Sequence, residues 1–115
     1  MQDRRKLKRK YLVFFGRVFD RQSAQMLGNV ADLTPEGVMI ISGRPLEVDK
    51  DYQLRLDLPE HIFAIDHLDL SGKSVWCQPD IDPAYFNTGF QLADVTPEEA
   101  EIIERIVKEY GIKDR

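Results

Sequence analysis

The chain has 115 residues, 43% of them apolar and 31% charged, the proportions of one ordinary globular domain and not of a disordered, collagen-like or membrane protein. Its net charge of −4 is unevenly placed: residues 1–10 carry six Lys or Arg against one Asp, a net of +5, while the other 105 carry ten basic and nineteen acidic groups, a net of −9. An acidic body with a basic arm argues against a general nucleic-acid binder, whose cations spread over a face or groove, and fits a localised anion site.

The longest apolar runs fall far short of the roughly 20 residues of a helical membrane span. With no leader-like cleavage site after the basic start, the expected address is the cytoplasm. Cys77 has no partner for an internal disulfide, and with His61 and His67 it makes no zinc-like spacing, so no metal is expected. It reads as a small core residue, and the two histidines read as surface or turn positions.

Behind the arm, residues 1–10, the run YLVFFGRVF is aromatic and β-branched and pairs, across the turn DRQS, with the strand-like QMLGNVADL. DLTPEG is a turn, GVMIIS another short strand and GRPLEVDKD a loop. DYQLRLDLP alternates, with Tyr52, Leu54, Leu56 and Leu58 on one face. IFAID, LSGKSVWCQ and FNTGFQLAD continue the series, so residues 11–95 predict an antiparallel barrel or sandwich. Residues 96–111 predict a helix: Thr96 as N-cap, Pro97 in the first turn, Glu99 closing a capping box, Gly111 as the stop. Its buried face is Ala100, Ile103, Ile106, Val107 and Tyr110, with Ile102 at the margin.

No serine sits in a nucleophile elbow, and no metalloprotease or P-loop motif occurs, so no enzyme is expected. The carboxylates of Asp66, Asp69, Asp80 and Asp82 read as solvated loop groups. Two motifs of complementary chemistry remain. Arg4, Arg5 and Arg9 stand as RRxxxR, and Asp32, Thr34 and Gly37 stand as DxTxxG. Guanidinium forks bind phosphate or the O6 and N7 of guanine in pairs of hydrogen bonds, and stack on bases. A carboxylate beside a hydroxyl offers acceptors to the N1 and N2 donors of guanine, and glycine lets backbone approach a ligand. Together the motifs suit a guanine nucleotide carrying phosphates.

RRxxxR followed some twenty residues later by (D/N)x(S/T)xxG resembles the PilZ domain family, bacterial receptors for cyclic di-GMP. GVMIISGRPLEV, LRLDLP, GKSVW, NTGFQL and the terminal TPEEAEIIERIV follow the family's course as well, so the likeness covers essentially the whole chain. The resemblance implies a six-stranded antiparallel barrel with a C-terminal helix, no catalysis, no metal and no cofactor beyond the ligand. It also implies an arm that wraps over cyclic di-GMP: Arg5 and Arg9 gripping phosphate and guanine, Arg4 adding a third guanidinium, and Asp32, Thr34 and Gly37 forming the base-recognising turn. Thr34 stands where serine is more usual, keeping the hydroxyl but adding a methyl beside the ligand. Trp76 either stacks on a guanine or packs near the core, and Arg17 and Arg44 are further candidates for the border of the site.

The function expected on this reading is a receptor whose arm is disordered when free and ordered when bound, with the change read by an unidentified protein effector. Neither membrane insertion nor binding to a nucleic-acid polymer is expected, because the −9 body repels a long polyanion. The alternative is a PilZ-like adaptor in motility or surface assembly that does not use the nucleotide.

Overall fold

The computed structural model describes residues 10–12, 16–58 and 63–113, and side chains for 16–58 and 63–110. Strands β1 (Lys10–Leu12), β2 (Arg17–Asp20), β3 (Met26–Thr34), β4 (Gly37–Ser42), β5 (Asp51–Asp57), β6 (His67–Pro79) and β7 (Phe86–Ala93) precede helix α1 (Pro97–Tyr110) and strand β8 (Gly111–Lys113). Six of the strands close an antiparallel barrel in the order β2-β3-β4-β7-β6-β5, while β1 and β8 pair with each other outside it. Closure leaves the six strands no free edge. The expected barrel with one C-terminal helix is the observed fold.

Alternation builds the core. Tyr52, Leu54 and Leu56 of β5 point inward with Leu68 and Leu70 of β6, and they meet Val18, Val30, Leu33, Val38, Ile40 and Phe90 from the other strands. Tyr52 and Phe90 pack edge to face, ring centroids 5.3 Å apart. Helix α1 contributes Ile103 and Ile106 to the same cluster, with Ile102, Val107 and Tyr110 packed against it. The buried Ser74 hydroxyl donates to the Glu47 carbonyl at 2.6 Å and accepts the Lys50 amide at 3.1 Å, pinning the loop between β4 and β5.

The capping box forms as the sequence predicts: the Glu99 amide donates to Thr96 Oγ1 at 3.1 Å, and the Thr96 amide donates to Glu99 Oε1 at 3.0 Å. Thr96→Ala is expected to lower stability by about 1 kcal/mol, seen as an earlier midpoint in urea unfolding. A midpoint equal to that of the native chain would show that the box contributes nothing.

Three expectations need correction. YLVFFGRVF is not one strand of a hairpin, because Lys10–Leu12 pairs with Gly111–Lys113, while among the described residues it is Arg17–Phe19 that pairs with β3. IFAID is not a strand where it is described: Ala64–Asp66 form a bend, and the Leu58 amide donates to the Asp66 carbonyl at 2.9 Å, which closes a loop and leaves Ile65 exposed. Cys77 is half-buried instead of lying in the core, and it accepts a 3.4 Å hydrogen bond from Thr88 Oγ1. His67 is half-exposed beside Asp66, a surface position as predicted, and His61 lies outside the described residues.

Candidate functional site

Two bulges decide which side chains reach the outer face of the barrel. In β3 the pairing with β4 slips between Val30 and Asp32, so Ala31 is the extra residue. Val30 and Leu33 both point inward, and Asp32 and Thr34 point outward, the reverse of what unbroken alternation from Val30 would give. In β6 the slip against β7 falls between Ser74 and Trp76, with Val75 as the extra residue. Leu68, Leu70 and Ser74 face in, and Trp76, next in that series, is turned out to 38% exposure. Of the two roles open to Trp76 in the sequence, packing near the core is therefore not the one observed.

The rotated residues fall into register. Asp32 pairs with Met39, Met39 with Gly89, and Gly89 with Trp76, which makes one row across four strands on the outer face. At about 4.8 Å per strand gap the row spans roughly 14 Å. Beside it runs a second row, Thr34–Gly37–Gln91–Lys73. A shallow depression of about 350 Å³ lies over the two rows, lined by Asp32, Thr34, Gly37, Met39, Trp76 and Gly89 among others.

Each member has a local cause. Thr34 Oγ1 accepts the amides of Glu36 at 3.2 Å and Gly37 at 3.1 Å, closing the two-residue turn Pro35–Glu36 that joins β3 to β4. Asp32 Oδ1 accepts the Leu33 amide at 2.9 Å, which fixes the carboxylate over the sheet; a carboxylate has about four acceptor positions in all. Gly37 is required by proximity, since a Cβ there would lie 2.9 Å from the Phe90 carbonyl oxygen. At Gly89 a Cβ would occupy the space of the Trp76 indole, so the missing side chain is what lets the ring lie across the strand.

Gly89→Ala is accordingly expected to push the indole off the sheet. Trp76 is the chain's single tryptophan, so its emission reports the change directly, as a shift to longer wavelength. An unshifted spectrum would mean that the ring does not rest on Gly89.

The described lining of the depression contains no arginine or lysine, and Lys73 is the cation of the adjoining row. Arg17 does not border it. Its guanidinium bonds Asp57 at 3.0 Å and lies over the Phe19 ring, on the face of β2 and β5. Arg44 follows the end of β4 opposite to Gly37. Arg4, Arg5 and Arg9 lie outside the described residues, and the chain enters the described structure at Lys10, in a strand beside β3.

A larger depression of about 580 Å³ sits between β2, β5 and β6. Its three arginines are already paired: Arg17 and Arg55 share Asp57, and Arg21 bonds Asp69 at 3.5 Å. Among the described residues no group of three His, Cys, Asp or Glu is placed to hold a metal. Met39, Gly89 and Gln91 escaped sequence reasoning as site residues. Glycine inside the strand-like FNTGFQL was the available signal, because such a glycine often marks a close approach.

The PilZ domain model matches residues 3–109. The chain belongs to the PilZ domain family. No curated protein gives a significant match. Among solved structures, the Bacillus subtilis inhibitor of motility MotI/DgrA superposes with a TM-score of 0.68 at 10% identity, over 95% of this chain and 51% of that one. Escherichia coli YcgR in complex with c-di-GMP gives 0.66 at 14%, over 95% and 46%. The PilZ domain of YcgR with c-di-GMP gives 0.64 at 13%, over 95% and 92%. This PilZ domain therefore spans about half the length of the first two, and at these identities the likeness is one of fold.

Proposed function

We propose that this PilZ domain is a receptor for cyclic di-GMP, held between the outer rows of the barrel and the arginine arm. The observation that carries the reading is the row Asp32–Met39–Gly89–Trp76, which two bulges turn to the same outer face. It sets a carboxylate and an indole at opposite ends of one depression. Asp32 accepts the N1 and N2 hydrogens of a guanine, and Trp76 offers a stacking surface, while Thr34 and Gly37 hold the turn that aims Asp32. Phosphate charge is answered by Arg4, Arg5 and Arg9, because among the described residues that line the depression there is no arginine or lysine.

Ligand binding draws the arm over the barrel, and a protein effector reads the altered surface. The reaction class is recognition without catalysis, and the proposed setting is the bacterial cytoplasm. Among the described residues no helix is long and apolar enough to cross a membrane.

Calorimetric titration of the full chain with cyclic di-GMP tests the reading and counts the ligands bound. Heat of binding that shrinks with added salt, together with a change in Trp76 emission, is the expected result. No heat and no competition at tens of micromolar nucleotide would leave the adaptor reading in its place.

A further inference from the structure

The far end of the same strands gathers exposed apolar side chains that the nucleotide site does not use. A groove of about 510 Å³ there is floored by Gly28 and walled by Met26, Ile41 and Tyr85. Gly28 cannot be larger, since a Cβ would run into the Ile41 carbonyl oxygen and the Ile40 side chain. The floor is thereby kept low. Met26 is 44% exposed and Tyr85 43%, and Ile81, in the loop that leads into Tyr85, is wholly exposed.

That loop is fixed by its own hydrogen bonds. The Asp80 amide donates to the Tyr85 carbonyl at 2.9 Å, and the Tyr85 amide donates to the Asp82 carbonyl at 3.0 Å. Asp80 Oδ2 accepts the Asp82 amide, Asp82 Oδ1 accepts the Ala84 amide, and Asn87 Nδ2 donates to Asp80 Oδ1 at 2.8 Å. Apolar side chains held ready in this way lose little further freedom on docking.

Charge selects the class of partner. Ile81 stands between Asp80 and Asp82, and the Asn87 hydrogen bond, with backbone amides behind it, holds the Asp80 carboxyl below the usual range and so ionised. Arg44, which follows the lining residue Gly43, sets one exposed cation against these two carboxylates. An apolar tip flanked by two carboxylates, on a body of net charge −9, repels lipid phosphates and nucleic-acid backbones alike. It attracts lysine and arginine.

We propose that the groove and the Ile81 loop form a docking surface for a partner protein that presents a bulky apolar side chain beside a lysine or arginine. The surface is separate from the nucleotide site. Met26 and Asp32 are six residues apart on β3, about 20 Å, with the outer row Asn29–Ile41–Asn87 between them. Both can be occupied at once, and the proposal does not depend on which nucleotide binds.

Selection of random twelve-residue peptides displayed on phage against the full chain tests it, with the winners synthesised and measured by fluorescence anisotropy. Expected winners carry a large apolar residue within three positions of Lys or Arg, weaken roughly tenfold on Tyr85→Ala, and weaken severalfold on Ile81→Ser and on Asp82→Asn. Ile81 is wholly exposed, so its variant keeps the native melting temperature and any loss of binding belongs to the surface. Winners that ignore these substitutions, or that are acidic, would overturn the proposal. So would self-association of the chain that Ile81→Ser abolishes, which assigns the surface to a second copy. Binding of a synthetic MQDRRKLKR peptide that is sensitive to Tyr85→Ala would assign it to the chain's own arm and overturn it equally.

Discussion

Asp32→Ala is expected to weaken cyclic di-GMP binding ten- to a hundredfold. Hydrogen bonds from a ligand's N–H groups to an ionised carboxylate contribute about 1.5–3 kcal/mol in all once solvent exchange is counted, and about 1.4 kcal/mol is tenfold in affinity. The folded domain loses less. Asp32 Oδ1 accepts the short backbone bond from the Leu33 amide, and loss of such a bond lowers stability by about 1 kcal/mol. Asp32→Asn keeps one acceptor oxygen at the same place, and its affinity is expected to fall only severalfold. Calorimetric titration of both variants separates the acceptor geometry from the charge. If Asp32→Ala binds as tightly as the native chain, the outer row is not the ligand site.

The outer row shows where sequence reading stops. Period-two alternation in DYQLRLDLP, the turn signals and the capping box were enough to place β3 to β7 and α1, though not β2 or the bend at Ala64–Asp66, because each depends on neighbours in the chain. Asp32, Thr34 and Gly37 were legible as a motif, and Thr34 proves to act by closing the turn through two backbone amides. The bulges at Ala31 and Val75 were not legible. Each arises from how one strand meets its partner, and neither residue carries a local mark of the slip. Without the second bulge, Trp76 would continue the inward series of Leu68, Leu70 and Ser74, which is why its sequence context pointed to the core as readily as to a ligand. Gly89 is hidden for a similar reason: its role is to leave room for a ring thirteen residues away in the chain.

The same limit applies to the ends of the chain. Gly111 was read as a stop, and it does end α1, yet it also begins a strand that pairs Lys10–Leu12 in antiparallel register, from Lys10↔Lys113 to Leu12↔Gly111. Three-residue strands carry too little pattern to announce a pairing across a hundred residues. Lys10, the first described residue, opens a strand that pairs with the segment ending α1 and lies beside β3, the strand that carries Asp32 and Thr34.

Helix α1 is the other support of that strand, and Ile103→Ala measures it. Ile103 is fully buried and joins the barrel core from the helix. Truncation removes its burial and leaves a cavity between two elements that cannot fully collapse, at a cost of about 2–5 kcal/mol. For a domain of this size that is a large part of the total stability, with a fall in melting temperature of roughly 10–20 °C. Ile102→Ala, at the half-buried margin of the same helix, is expected to lose less than half as much. Nucleotide affinity, measured well below the lowered transition, should stay within a few-fold of native, because the closed barrel holds Asp32 in register through β4 and not through α1. A native melting temperature for Ile103→Ala would mean that α1 is not part of the core. A folded Ile103→Ala chain that binds as poorly as Asp32→Ala would instead show that the helix, and not the barrel pairing, sets the position of the Asp32 carboxylate.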